Sequence, residues 1–234
     1  MVVFSVTAVF AERTIYITRH GQMGDPEIKA FNGEYALTEL GKLQAKQLGE
    51  YLKGKKFNGI IYSSPLYRTM QTSEVVAKIN NCAVMIDPGL QEYAPVLPEL
   101  NNGKYGICAE GCSRSEIKKY FPQAKISARF TYPWRLMNEP EKMRHERSER
   151  TLNAILGETT GDILLVGHSA TVKSLMFVLS KRSAKPITAV PWNCCLVTVT
   201  LDNNNKVTGF AVETDRFLKP EQTTNNFRNS LLSK

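Results

Sequence analysis

The residues with the clearest chemical potential are two histidines and two arginines in three short motifs. Arg19-His20-Gly21 places an imidazole beside a guanidinium, with a glycine that lets the backbone approach a ligand closely. Arg68 lies within Ser63–Thr72, and His168 lies within Gly167-His168-Ser169. Arginine offers planar, paired donors to phosphate oxygens, and an unprotonated imidazole is a nucleophile. This combination favours phosphoryl transfer through a histidine.

A nucleophilic imidazole must present an unprotonated nitrogen to the phosphorus atom. Its other nitrogen should then donate a hydrogen bond to a carbonyl or similar acceptor, which fixes the tautomer. The sequence does not identify this acceptor for His20.

Each of the three motifs follows a short apolar run with the composition of a strand. Strands are predicted over Thr14–Thr18, Gly59–Tyr62 and Asp162–Val166, with helix-like stretches between them. This alternation is typical of an α/β domain with a mostly parallel sheet. Since ligands bind outside the carboxyl ends of parallel strands, we expect the three motifs to meet in one crevice.

Two helices are predicted beside this crevice. The apolar pattern of Thr38–Leu52 indicates a helix that Thr38 can cap. Ser64 followed by Pro65 indicates a second helix, with the serine as its cap and the proline at its first position. Arg68 would then lie one turn inside that helix and point back toward the crevice.

Beyond residue 93, the sequence predicts a long excursion and then two strands at the edge of the sheet. Cys194–Leu201 and Val207–Glu213 are predicted as strands joined by the turn-forming residues 202–205. Residues 93–140 show weak periodicity and are predicted as an excursion over the site, with a short helix at Ser115–Tyr120. We expect residues 12–234 to form a single domain in which this excursion sets substrate selectivity.

Taken in order, the motifs resemble the histidine phosphatase superfamily, in its phosphoglycerate-mutase-like branch (branch 1). The resemblance implies an α/β three-layer sandwich, with a mostly parallel central sheet flanked by helices. It also implies that His20 becomes phosphorylated, that Arg19, Arg68 and His168 hold the phosphate, and that Glu92 serves as general acid. The pieces that carry it are Arg19–Gln22, Leu37–Ala45, Ser63–Thr72, Leu90–Glu92 and Gly167–Ser169.

Glu92 also makes chemical sense as a proton donor. The leaving oxygen of a phosphate ester needs a proton, which a carboxylic acid can supply; the alternative is a surface glutamate in a loop. The other branch of the superfamily carries an aspartate directly after its second histidine, whereas Ser169 follows His168 here. Gln22 and Ser169 are secondary candidates for substrate binding, and Ser169 could equally cap a helix.

The residues around the motifs favour a phosphatase over a mutase. Mutases of this kind have a serine or threonine and then an asparagine after Arg-His-Gly, and an arginine pair in the excursion. This chain has Met23-Gly24-Asp25-Pro26 and no Arg-Arg pair. We predict a metal-independent phosphoric monoester hydrolase without a cofactor, acting on a small phosphorylated metabolite. The alternatives are a phosphotyrosine protein phosphatase, a phosphoglycerate mutase and a non-catalytic phosphate-binding module.

Charge and cysteine content narrow the range of partners. The chain has 30 Lys and Arg against 22 Asp and Glu, and this net charge of +8 is spread along the sequence and favours an anionic partner. It lacks a basic stripe with interleaved aromatics, so nucleic acid is not expected. The five cysteines show no zinc-like spacing and predict no metal site. Cys108 and Cys112 could form a disulfide, with two thiols as the alternative; the oligomeric state is not indicated.

Three further features of the sequence carry expectations of their own. Residues 1–11 are apolar and resemble the end of a signal peptide without its positively charged start, so an exported or periplasmic location is slightly favoured over a cytoplasmic one, with no stable membrane association. Trp134 and Trp192 are candidates for a substrate pocket, with core packing as the alternative. His145 is predicted to lie on a solvated charged helix, outside the site.

Overall fold

A seven-stranded sheet runs through the part of the chain that the computed structural model describes, residues 12–24, 35–93, 111–134 and 138–224. The strand order is β4-β3-β2-β5-β1-β6-β7. Neighbours among β1 to β5 are parallel, whereas β6 and β7 run antiparallel at one edge. The strands are β1 Arg13–Arg19, β2 Ile60–Ser63, β3 Val84–Ile86, β4 Lys125–Ile126, β5 Ile163–Gly167, β6 Leu196–Leu201 and β7 Val207–Val212.

Helices cover both faces of the sheet and make the predicted three-layer α/β sandwich. They are α1 Glu39–Gly54, α2 Tyr67–Asn80, α3 Arg114–Tyr120, α4 Glu141–Glu158 and α5 Ser169–Ser180. Alternating side chains of the strands point to opposite faces. In β1, Ile15 and Ile17 join the core cluster beneath α4 and α5, whereas Tyr16 joins the cluster beneath α1 and α2.

Helix α2 begins later in the chain than the sequence-based prediction placed it. The helix begins at Tyr67, with Leu66 in extended conformation as its N-cap, so Ser64 and Pro65 precede it. Ser64 remains part of the strand exit because its amide donates to the carbonyl of Val166 at 3.1 Å. Arg68 is consequently the second residue of α2 rather than a residue one turn inside it.

The excursion is described only in its second half. The predicted short helix is present as α3, and β4, which the sequence did not predict, adds a strand at the sheet edge. The indole of Trp134 is buried in the core below α3 and donates to the carbonyl of Cys112 at 2.9 Å. Trp192 packs against the core beneath α5, so both tryptophans follow the core-packing alternative.

Several expectations fall on residues outside the described ranges. Residues 1–11 are among them, as is Cys108 of the suggested disulfide. The thiol of Cys112 donates to the carbonyl of Pro65 at 2.8 Å. Within the described ranges, no helix has the length and apolar character needed to cross a bilayer.

Candidate active site

The three predicted motifs meet because their strands are neighbours in the sheet. Strand β5 lies between β1 and β2, and Arg19 pairs with Gly167 while Ser63 pairs with Val166. The chain therefore leaves all three strands at the same edge and at the same level. The amide of His20 still donates to the carbonyl of Gly167 at 3.0 Å, which ties the first motif to the third.

The two nitrogens of the His20 imidazole have different hydrogen-bond partners. Nδ1 lies 2.7 Å from the carbonyl oxygen of Gly21, so Nδ1 carries the proton and donates. This is the acceptor that the sequence could not identify. Nε2 is left with its lone pair and accepts a hydrogen bond from Nε of Arg68 at 3.2 Å. The nitrogen that can attack an electrophile thus faces a cation.

The environment of His20 also favours its neutral form. The side chain is buried, and the pKa of the imidazole is lowered well below 6.5, first by burial and then by the positive charges of Arg68 and Arg19. The hydrogen bond to Gly21 acts in the opposite direction and does not reverse the shift. An uncharged imidazole at neutral pH is the protonation state that a nucleophile requires.

Arg68 connects the two histidines of the site. Its Nη2 lies 3.2 Å from Nδ1 of His168, while its Nε contacts His20, and the two imidazole rings have centroids 5.2 Å apart. On its far side, Nε2 of His168 lies 2.9 Å from the hydroxyl oxygen of Ser64. Two imidazoles and one guanidinium therefore face a common space.

Arg19 lies beneath this space and is almost completely buried. Its Nη1 donates to the carbonyl of Pro191 at 3.0 Å. Burial lowers the pKa of the guanidinium, and the nearby carboxylate of Glu92 partly offsets that effect. Arginine remains protonated under such conditions, so Arg19 adds a second fixed positive charge.

Glu92 is held at the amino-terminal end of α5. Its Oε1 accepts hydrogen bonds from the amides of Tyr93 at 2.8 Å and Ala170 at 3.2 Å. A helix amino terminus is a favourable place for a carboxylate. Both bonds fall on the same oxygen, so Oε2 is the oxygen that would exchange a proton with a substrate.

A buried ion pair supports the segment that carries Glu92. The guanidinium of Arg147 in α4 makes two hydrogen bonds to Glu139, at 2.8 and 2.7 Å. A third donor of the same group, Nη1, reaches the carbonyl of Gly89 at 2.6 Å. From α5, the hydroxyl of Thr171 donates to the carbonyl of Gln91 at 2.8 Å. The two helices together fix the approach to Glu92.

The backbone around His20 has supports that the sequence did not predict. Nδ2 of Asn193 donates to the carbonyl of His20 at 3.0 Å, and the hydroxyl of Thr72 accepts from the amide of Gly21 at 3.1 Å. Thr72 and Gln44 lie within motifs singled out from the sequence, whereas Asn193 has no recognisable pattern around it. Gln44 accepts from the amide of Gln22 at 2.7 Å.

The secondary candidates occupy different places. The side-chain oxygen of Gln22 accepts from the hydroxyl of Thr38 at 2.8 Å, which directs it toward the start of α1. Ser169 is the first helical residue of α5, and His168 is the N-cap, so the capping alternative for Ser169 is wrong. Ser169 instead borders a cleft beside Glu92.

His145 lies on the charged helix α4, as predicted, but its side chain is not solvated. Its side chain is only 19% exposed, and its ring stacks on Phe177 with centroids 3.9 Å apart. It also borders the cleft beside Glu92. The sequence could not show this because the position of His145 depends on how α4 packs against α5.

The described residues contain no group of three or more His, Cys, Asp or Glu side chains that could hold a metal ion. The polar groups assembled around His20 are instead donors suited to an anion. Two guanidinium groups and an imidazole can contact several oxygens of one phosphoryl group.

Comparison with known proteins places this arrangement in a family. The profile of the histidine phosphatase superfamily (branch 1) matches residues 15–211. The chain belongs to the histidine phosphatase superfamily. This matched range contains every residue described above as part of the candidate site.

Relatives of this superfamily member include both phosphatase and mutase types. A probable phosphoglycerate mutase of Photorhabdus laumondii is 32% identical over 80 residues, which cover 33% of this chain and 37% of the relative. A 6-phosphofructo-2-kinase/fructose-2,6-bisphosphatase of Arabidopsis thaliana is 26% identical over 200 residues, which cover 80% of this chain and 24% of the relative. The match therefore spans well under two thirds of either relative.

Solved structures support the fold assigned to this chain. The ecdysone phosphate phosphatase of Bombix mori, in complex with tungstate, superimposes with a TM-score of 0.60 at 18% identity. The match covers 84% of this chain and 92% of that protein. At this level of identity the likeness concerns the phosphoglycerate-mutase-like fold and not the substrate.

Proposed function

We propose that this protein hydrolyses a phosphate monoester through a phosphohistidine intermediate on His20, without a metal ion. The observation that carries the proposal is the pairing of a buried, neutral His20 with Arg68, whose guanidinium also contacts His168. A nucleophile and two groups that bind phosphate oxygens therefore share one space. Membership of a superfamily with phosphatase and mutase relatives is consistent with this chemistry.

In the first step, the lone pair on Nε2 of His20 attacks phosphorus and forms a P–N bond. The ester P–O bond breaks, and the leaving oxygen takes a proton from Oε2 of Glu92. The bond from Nδ1 to the carbonyl of Gly21 stabilises the positive charge that develops on the ring. Arg19, Arg68 and His168 contact the three equatorial oxygens as charge spreads over them.

In the second step, water attacks the phosphohistidine and returns a proton to Glu92. The P–N bond breaks, its electron pair returns to Nε2, and inorganic phosphate leaves. We propose water as the acceptor because the chain has Met23-Gly24-Asp25-Pro26 and no arginine pair, and so departs from the mutase pattern. We propose a small phosphorylated molecule as substrate, and neither nucleic acid nor a stable membrane contact is part of the proposal.

The test is hydrolysis of p-nitrophenyl phosphate in the presence of EDTA. Wild-type protein should turn over, and His20→Ala should lose at least about a thousandfold in kcat because the nucleophile is gone. Rapid quenching with a ³²P-labelled substrate should place label on the peptide that contains His20, and His145→Gln should still become labelled there. Normal turnover in His20→Ala would refute the mechanism, and loss of turnover with EDTA would refute metal independence.

A comparison of small phosphate esters with a phosphotyrosine peptide separates the two substrate classes. Higher kcat/KM for the peptide than for every small ester would reject the small-molecule assignment.

A further inference from the structure

Ser64 lies behind His168 and contacts the imidazole on the side away from Arg68. Its hydroxyl oxygen is 2.9 Å from Nε2 of His168, and both side chains are completely buried. The proposed mechanism uses His168 to bind a phosphate oxygen and gives Ser64 no task.

The position of the Ser64 hydroxyl is fixed by the backbone around it. The amide of Ser64 donates to the carbonyl of Val166 at 3.1 Å, and its carbonyl accepts from the hydroxyl of Thr69 at 2.8 Å. The hydroxyl oxygen itself accepts from the amide of Leu66 at 3.4 Å. Ser64 is therefore a fixed partner for the imidazole, tied to β5 on one side and to α2 on the other.

The contact with Arg68 determines which nitrogen of His168 carries the proton. A guanidinium has donors and no acceptor, so Nη2 of Arg68, 3.2 Å from Nδ1, donates to the lone pair of that nitrogen. The proton of the neutral ring is then on Nε2, which donates to the hydroxyl of Ser64. Arg68 and Ser64 together select a single tautomer of His168.

In this tautomer, Nδ1 of His168 cannot donate to a phosphate oxygen. A phosphoryl oxygen that replaced Arg68 in front of Nδ1 would meet a lone pair, and the two would repel each other. Nδ1 must therefore gain a proton before it can bind that oxygen. Because Ser64 already accepts the proton on Nε2, the added proton makes an imidazolium with a hydrogen bond at each nitrogen.

The charges around His168 couple this proton to the bound anion. Arg68 from α2 and Arg19 from the end of β1 oppose an imidazolium, whereas Glu92, beside the start of α5, favours one. The neutral His20 adds no charge. A phosphoryl group with two negative charges would offset the two guanidinium groups and so favour the charged ring.

We propose that Ser64 is a positioning residue for His168: it fixes Nε2 as a donor, so that binding of a phosphoryl group draws one proton from solvent onto Nδ1. That proton forms the hydrogen bond to a phosphate oxygen, and the N–H bond is the only bond made. The inference rests on the proposed function, because it concerns how the same site binds phosphate.

NMR spectra of protein labelled with ¹⁵N-histidine test the proton count directly. The chain has three histidines, so His20→Gln and His145→Gln assign the signals of all three rings. The probe is tungstate, an oxoanion that carries no proton at neutral pH. We expect tungstate to change His168 from the Nε2–H tautomer to an imidazolium. A change to the Nδ1–H tautomer, or no change, would overturn the inference.

Ser64→Ala removes the acceptor for Nε2 and leaves the remainder of the site in place. In its tungstate complex, the pH midpoint of imidazolium formation at His168 should fall by about one unit, and tungstate should bind about tenfold more weakly at pH 7, because a hydrogen bond to a charged group is lost. The loss of affinity should shrink as the pH rises and the wild-type complex releases the added proton. A purely structural defect would not follow this pH dependence.

Ser63→Ala is the matched control from the neighbouring position. The hydroxyl of Ser63 is equally buried and donates to the carbonyl of Ser64 at 3.0 Å. Its removal should leave the midpoint of His168 and the affinity for tungstate unchanged, with thermal melting to verify that both variants are folded. Equal shifts in the two variants would overturn the assignment of Ser64.

Turnover of p-nitrophenyl phosphate with no protonation of His168 on tungstate binding would overturn this inference and leave the proposed function standing. Absence of both turnover and tungstate binding would refute both proposals.

Discussion

Burial and two neighbouring guanidinium groups keep the imidazole of His20 neutral. The pKa of His20 is lowered well below 6.5, with Arg68 as the nearest cation. In the unfolded chain, the same imidazole has an ordinary pKa of about 6.5. This difference links the reactivity of one residue to the stability of the whole protein.

We expect the imidazole of His20 to remain neutral at pH 6.5 and to titrate only at lower pH, as read from its ring signals in NMR spectra. Arg68→Met should raise the pKa of His20, because it removes the nearest positive charge. An unchanged titration midpoint in Arg68→Met would contradict this cause.

The lowered pKa of His20 also makes the free energy of unfolding depend on pH in a defined direction. Between the lowered folded pKa and about 6.5, the unfolded chain binds more protons, so the free energy of unfolding rises with pH. The contribution of His20 is fully present above about pH 6.5 and is lost as the pH falls toward the folded pKa. Urea titrations across this range should show a smaller slope for His20→Gln than for wild type.

At the scale of elements, the start of α1 presses on the loop that carries His20. A Cβ atom added to Gly41 would lie 2.0 Å from the carbonyl oxygen of Gln22, and one added to Gly21 would lie 2.4 Å from the carbonyl oxygen of Gly41. The two backbones therefore touch where both residues are glycine. Neither backbone can take up a methyl group without moving the other.

Gly41→Ala should lower the free energy of unfolding by about 2 kcal/mol or more and reduce kcat, because the loop must shift. Gly54, in the last turn of the same helix, would place its Cβ in open space, so Gly54→Ala should be neutral or slightly stabilising. Denaturant unfolding and turnover measure both effects. Equal outcomes for the two variants would contradict the close approach.

Helix α4 is linked to the turn before Glu92 through Arg147. Arg147 and Glu139 are buried with side-chain exposures of 9% and 3%, and Arg147 also holds the carbonyl of Gly89. Removing one partner leaves the other charge buried and unpaired. Such a loss costs about 3–5 kcal/mol.

Arg147→Met should therefore be strongly destabilised, and Arg147→Met/Glu139→Leu less so. Where the protein is still folded, kcat should fall more for an alkyl phosphate than for p-nitrophenyl phosphate, as in Glu92→Gln, because the better leaving group needs less protonation. Arg150→Met on the exposed side of α4 is the control. If kcat fell equally with both substrates, the role of Arg147 would be purely structural.

At the scale of the whole molecule, the net charge of +8 should assist an anionic substrate. Exposed charges are screened over about 10 Å at 0.1 M salt. We expect kcat/KM for a dianionic ester to fall as ionic strength rises, with kcat nearly constant. Raising the ionic strength with chloride and, separately, with acetate distinguishes charge screening from competition by one particular anion. A kcat/KM that does not depend on ionic strength would exclude electrostatic steering of the substrate.

Much of the architecture and most of the candidate site follow from local patterns. Strands β1, β2 and β5 are apolar runs that end in polar motifs, and the motifs resemble a known family, so their convergence was predictable. Strands β3 and β4 are only three and two residues long, too short for a periodic signal. The start of α2 was misplaced because Ser64 bonds to its neighbouring strand rather than acting as a cap.

The sequence by itself determined which residue types could perform phosphoryl transfer and at which strand ends they stand. Tertiary structure alone decided that Gly21 binds Nδ1 of His20, that Arg147 supports the turn before Glu92, and that Arg144 and His145 border the cleft beside Glu92. The physical reason is that local patterns record hydrophobic periodicity and turn chemistry. Contacts between distant segments depend instead on strand order and helix packing, which no short stretch of sequence encodes.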